Sequence, residues 1–202
     1  MNKGEIRDHF KAVLNRTDCI NSLADTFINQ AIGRIQRVLR IPSMEKTQNY
    51  TFTARAGSVI VPSDLLEILS IYYSEHTLSR TTLREIKHMK QSGQTGIPQY
   101  FCRQGESVLI YPEPTSGTLS IDYYGQFADL TTDTSENPLT VIASDLITYT
   151  ALSYASDYFL DERGQIFEAK SGQFLNEIQE QANEAEQSGT SQSIRPMNAF
   201  SD

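Results

Sequence analysis

Gly96 to Tyr124 reads GIPQYFCRQGESVLIYPEPTSGTLSIDYY, three short alternating runs punctuated by glycine and proline. Tyr100 and Cys102 alternate with Phe101 and Arg103, and Val108 and Ile110 with Leu109 and Tyr111. Leu119, Ile121 and Tyr123 then share one face, opposite Ser120, Asp122 and Tyr124. Period-two alternation is the mark of a half-buried strand, because successive side chains point to opposite faces. Gly105-Glu106 suits a tight turn between the first two runs, and Pro112 to Gly117 a longer one before the third. The stretch therefore predicts an antiparallel meander within one sheet. No side chain in it belongs to a constellation that would activate it chemically, so it reads as a building block rather than a catalyst.

The residues upstream extend the β pattern. Tyr50, Phe52 and Ala54 alternate with Thr51, Thr53 and Arg55, Ala56-Gly57 turns into Ser58–Val61, and Glu67 to Ser74 returns after the turn Pro62–Asp64. Thr82 and Glu85 have the spacing of a capping box, which predicts a short helix through Met89, ended by the loop Gln91–Gly96. The expected sheet has about five or six strands and one packed face.

Both flanks have helical spacing. Ile6, Phe10, Val13 and Leu14 predict a short first helix. Leu23, Ala24, Phe27, Ile28, Ala31, Ile32, Ile35, Val38 and Leu39 form a stripe of period near 3.6, with Asp18 or Asn21 as its cap and Pro42 as its stop. Arg34, Arg37 and Arg40 lie on the other face, either solvated or as a binding patch. Leu146 to Leu160 reads as a helix crowded with aromatics, broken by Asp161–Gly164. A further helix runs from Ile166 past Ile178 into EIQEQANEAEQ, with Gly172 as a weak point. The fold class is α+β, mainly α. The N- and C-terminal helices form a helical bundle, with an inserted antiparallel β-sheet domain and a flexible C-terminal tail. The expected boundaries are 1–42 and 129–188 for the bundle, 43–128 for the β-rich insertion with its short helix, and 189–202 for an extended tail.

A net charge of −8 and a pI near 4.9 argue against a protein that grips nucleic acid by its phosphates. Residues 1–40 carry seven Lys/Arg against four Asp/Glu, whereas residues 161–202 carry three against eight. Cys19 and Cys102 have neither metal-ligand nor CxxC spacing and read as two buried free thiols. The charged N-terminus does not resemble a signal peptide, and no apolar run has bilayer length, so a soluble protein made in the cytosol is expected.

The remaining chemistry is sparse. His9, His76 and His88 have no companions at ligand spacing, so neither a metal nor another cofactor is expected. Glu67 and Glu75 flank a strand eight residues apart, about 26 Å at strand rise, too far for the paired carboxylates of a glycosidase. Asp161 and Glu162 are adjacent at a helix break, where acidic residues commonly cap. Tyr72-Tyr73 and Tyr123-Tyr124 are adjacent pairs in strands, so one ring of each must face away from the core. Such rings suit sugar or base stacking, or a subunit interface, and the lack of a basic surround favours the interface.

Several pieces, in order, resemble the adaptor (head-completion, head-to-tail connector) proteins of tailed bacteriophages. They are RVLRIP (Arg37–Pro42), VPSDLLEILSIYY (Val61–Tyr73), GIPQYFCRQGESVLIYPEP, SGTLSIDYYG, and the helix pair SDLITYTALSYASDYFLDERGQIFEAKSGQFLNEI. The resemblance covers about residues 5–185. It implies a non-enzymatic structural virion protein, assembled in the host cytoplasm as a ring of usually twelve copies at the head–tail interface. That ring seals the head beneath the portal protein and presents a surface to tail proteins, while genomic DNA passes through its lumen without sequence-specific binding. Glu177, Glu180, Glu184 and Glu186 are then candidates for an acidic lumen wall, a solvated face being the other reading. The resemblance further implies a tail that docks on the portal, here Ser193–Ala199, with Ile194, Arg195, Pro196 and Met197 as contacts and Phe200 just beyond. Rival readings are a tail-side completion or collar protein and a cell-wall hydrolase carried by a connector.

Overall fold

In a computed structural model, residues 1–187 are described, with side chains through Glu184. The first elements are α1 (Lys3–Leu14), α2 (Asn21–Val38), β1 (Glu45–Phe52), β2 (Ser58–Ile60) and β3 (Leu65–Tyr73). β4 (His76–Thr77), β5 (Ser79–Arg80), α3 (Leu83–Lys90), β6 (Tyr100–Gln104), β7 (Ser107–Tyr111) and β8 (Gly117–Gly125) follow. α4 (Pro138–Ile142), α5 (Ser144–Phe159) and α6 (Gly164–Gln187) complete the described residues. They divide into two units: Met1–Ile41 with the residues from Thr131 onward, and Pro42–Leu130.

The unit Pro42–Leu130 holds two four-stranded sheets, ordered β1-β8-β3-β4 and β2-β7-β6-β5. This corrects the single sheet and the three-stranded meander expected from Gly96–Tyr124. β6 and β7 do form a hairpin, with Cys102 opposite Leu109 and a left-handed Gly105 (φ 61°) in its turn. β8, however, lies in the other sheet, between β1 and β3. Two features divert it. Pro112 and Pro114 have no N–H with which to continue the ladder. The remaining edge of β7 is taken by β2, with Val59 opposite Val108. The β5–β6 pair is parallel, a further departure from an all-antiparallel sheet.

The two sheets share one core, to which Phe52, Ile71, Phe101, Ile110, Leu119 and Ile121 contribute. The outer face of β6–β7 is also covered, because Ile86 of α3 packs on Cys102 and Tyr111. α3 starts with the expected capping box: the Glu85 N–H donates to the Thr82 hydroxyl (3.3 Å) and the Thr82 N–H to the Glu85 carboxylate (3.1 Å).

In the helical unit α5 packs against α1, α2, α4 and α6. Leu146, Ile147, Ala151, Leu152 and Ala155 are buried, and so are Thr148, Thr150, Ser153 and Ser156. A helix without a polar face must lie inside. Its hydroxyls are satisfied there: Thr148, Ser153 and Ser156 each donate to a carbonyl of their own helix at 2.8 Å, and Thr150 pairs with Ser171 of α6 at 2.6 Å. α2 buries Ala24, Phe27, Ile28, Ala31 and Ile35, the stripe read from its spacing. Its expected cap is not used. Ile20 occupies the cap position without a side-chain bond, Asp18 pairs with Arg16 (2.8 Å), and Asn21 accepts from Lys11 (2.8 Å). α6 runs unbroken through Gly172, whose Cα faces open space.

Polar latches tie these helices. Arg7, buried on α1, reaches Asp25 of α2 (3.1 Å) and Asp133 (2.5 Å). Arg163 donates to the last carbonyls of α1, Val13 (3.3 Å) and Leu14 (3.0 Å), a favourable place for a cation. Asp161 holds Arg163 in position, and this hydrogen-bonded pairing lowers the Asp161 carboxyl to about 2. The Gln179 amide bonds both the N–H (3.1 Å) and the carbonyl (2.8 Å) of Arg40, and Arg34 pairs with Glu168.

Candidate assembly surfaces

The strand period sorts each tyrosine pair. Tyr73 and Tyr123 turn into the β core, at 9% and 4% exposure, while Tyr72 is exposed and Tyr124 half-buried. Inward placement obliges the buried hydroxyls to find partners. Tyr73 donates to the Ser116 carbonyl, and Tyr123 to the Asp64 carboxylate at 3.1 Å. Burial, with the Asp64 charge and hydrogen bond, pushes the Tyr123 phenol up to about 12. Burial alone would raise Asp64, but Lys46 at 2.6 Å and Tyr123 outweigh it and hold its carboxyl below the ordinary range. These two inward tyrosines are fixed parts of the β core.

The outward face of β1-β8-β3 is polar. Asp122, central on β8, accepts from Thr47 of β1 (2.7 Å) and Ser70 of β3 (3.0 Å). Ser120 donates to Asn49 at 2.7 Å, and Tyr72 lies opposite Ser120 across the ladder. Hydroxyls and a bracketed carboxylate thus surround the exposed ring. The alternation of Ser120 and Asp122 in β8 marked this face, but strands 75 residues apart in sequence supply the Thr47–Asp122 bond, so it was not readable locally.

Glu177, Glu180 and Glu184 lie exposed on α6, and Gln173 donates to Glu177 at 2.7 Å. Their offsets of three and seven residues put them on one helix face. No Lys or Arg occurs between Lys170 and Arg195. The side chain of Glu186 is outside the described residues, as are Ile194, Arg195, Pro196, Met197 and Phe200. The structure adds a face of opposite sign. Ile86 turns α3 inward, leaving Arg84, Lys87 and His88 exposed outward. Arg84 and His88 border a shallow concavity with Thr81, Thr82, Glu85, Met89 and Tyr100. In sequence the eight-residue LREIKHMK mixes acid, base and apolar residues too closely for this stripe to stand out.

Among the described residues no three His, Cys, Asp or Glu side chains are grouped to hold a metal ion, and no helix is long and apolar enough to cross a membrane. Cys19 and Cys102 are buried and unpaired, and burial raises the Cys19 thiol. The SU10 adaptor protein family model matches residues 1–198. The chain belongs to that family. Comparison with curated proteins returns no match. As an SU10 adaptor the chain is a structural component of phage particles, made to contact other head and tail proteins. The surfaces described above are therefore read as assembly surfaces.

Proposed function

We propose that this SU10 adaptor works as a ring beneath the portal vertex, joining the filled head to the tail. The family match over residues 1–198 carries this reading. Twelve copies form the ring, seal the head and leave a lumen through which genomic DNA passes without being read. The protein carries out no catalysis in this role. The net charge of −8 fits it, since a surface of like sign gives passing phosphates no hold. Ile194, Arg195, Pro196, Met197 and Phe200 anchor the ring on the portal. A short apolar-bearing segment in a polar stretch can fold on its partner at the moment of binding.

Co-sedimentation with portal rings tests this reading. Full-length protein is expected to travel with the portal, and protein lacking residues 190–202 to remain behind with its melting temperature unchanged. Equal co-sedimentation of the two forms would remove the tail from the account. Binding to tail proteins in place of portal would move the chain to the tail side.

A further inference from the structure

We propose that the basic outer face of α3 docks against the acidic face of α6 on a second copy of the chain, an inference that rests on the ring reading above. Arg84, Lys87 and His88 project from α3 on the side away from Ile86, with the exposed Glu85 beside them drawn back onto the hydroxyls of Thr81 (2.6 Å) and Thr82 (2.9 Å). Glu177, Glu180 and Glu184 project from α6 on the side away from its buried Phe167, Ser171 and Ala182. Both rows are exposed in the single chain. At 1.5 Å per residue Glu177 to Glu184 spans about 10 Å and Arg84 to His88 about 6 Å, so the shorter basic row fits within the acidic one.

Duplex DNA is the other polyanion that a basic helix face can meet. The surroundings disfavour it. Pro42–Leu130 carries seven Lys/Arg against nine Asp/Glu, so no broad basic surface surrounds the short α3 row to follow a continuous phosphate backbone. Two permanent cations are also few beside a duplex that carries one charge per about 1.7 Å. The α6 row is a better complement, since no cation interrupts it from Ser171 to Ile194. The two rows differ, so contact between copies is heterologous, and a heterologous contact that closes makes a ring. In that arrangement these glutamates face a neighbouring copy and not the lumen.

Charge reversal tests the proposal in full-length protein, followed by sedimentation velocity and electron microscopy. E180K/E184K and R84E/K87E are each expected to weaken self-association about tenfold or more, with unchanged melting temperatures, because exposed pairs contribute little singly but reversal adds repulsion. The variant carrying all four substitutions, and an equimolar mixture of the two double variants, are expected to recover rings. The wild-type contact should also weaken as salt rises, since exposed charges are screened. Wild-type rings with undiminished rings from both double variants would overturn the pairing while leaving the ring reading intact. Absence of wild-type rings under all conditions, on the portal or off it, would instead overturn the ring reading itself. Retained self-association by R84E/K87E with loss of binding to a duplex probe would assign the α3 face to phosphate and reject the contact between copies.

Discussion

Replacing Gly117 by alanine is expected to destabilise the β unit by about 2–6 kcal/mol. Gly117 starts β8 with φ at 116°, a conformation that side-chain-bearing residues rarely adopt. Forcing it on alanine costs about 1–3 kcal/mol. The new Cβ would also lie 2.8 Å from Cζ of Tyr73 and closer still to its hydroxyl oxygen. That ring cannot swing aside, being only 9% exposed and bonded through its hydroxyl to the Ser116 carbonyl. Overpacking of this kind costs about 1–3 kcal/mol more. Gly105→Ala is the control: its φ is 61°, but nothing lies within 4 Å of the added Cβ. It should cost about 1–2 kcal/mol, from the backbone alone. Urea unfolding of both variants, followed by β-sheet circular dichroism, reads the difference. At about 4–8 °C per kcal/mol for a unit of this size, Gly117→Ala should melt at least about 8 °C lower than wild type. Equal losses in the two variants would refute the role given to Tyr73, and a loss under about 1 kcal/mol at Gly117 would refute the backbone argument as well.

The tyrosine pairs should separate by position: Tyr73→Ala is expected to cost about 3–5 kcal/mol in thermal unfolding, and exposed Tyr72→Ala less than about 0.5. Arg7→Met should lower stability to urea by only about 1 kcal/mol, because Asp133 is exposed to water and Asp25 keeps Lys3 at 3.6 Å. Asp161, held at about 2 by Arg163, takes up its proton more readily unfolded than folded, so its contribution is present at neutral pH and fades as pH falls from about 4 through 2. Asp161→Asn should therefore flatten the acid limb of the stability curve, and an unchanged limb would show that other carboxylates dominate it.

The helices were the most legible part of the chain. The stripe Ala24 to Ile35 is the buried face of α2, and the Thr82–Glu85 box begins α3 where its spacing placed it. Both are signals within a few residues. The division into two sheets was not legible, because the second partner of β7 is β2, read as a strand after Ala56-Gly57 but lying about fifty positions earlier with no hairpin turn joining the two. β8 alternates as any hairpin strand would, yet it pairs with Glu45–Phe52 and Leu65–Tyr73. Cap chemistry also misled at α2, where Asp18 and Asn21 serve Arg16 and Lys11 instead. At the surfaces, strand period showed that one ring of each tyrosine pair must face outward, while the fold decided that Tyr72 is the exposed member of its pair. The basic row on α3 needed Ile86 to be placed before Arg84 and Lys87 could be assigned to one outward side.

The most direct test of the connector role is electron microscopy of purified portal rings with and without this protein, averaged along the portal axis. The account predicts added density on one pole of the portal, with twelve-fold repeats and an open central channel. Bare portal rings beside unattached monomers, at protein concentrations well above those of the portal, would contradict it.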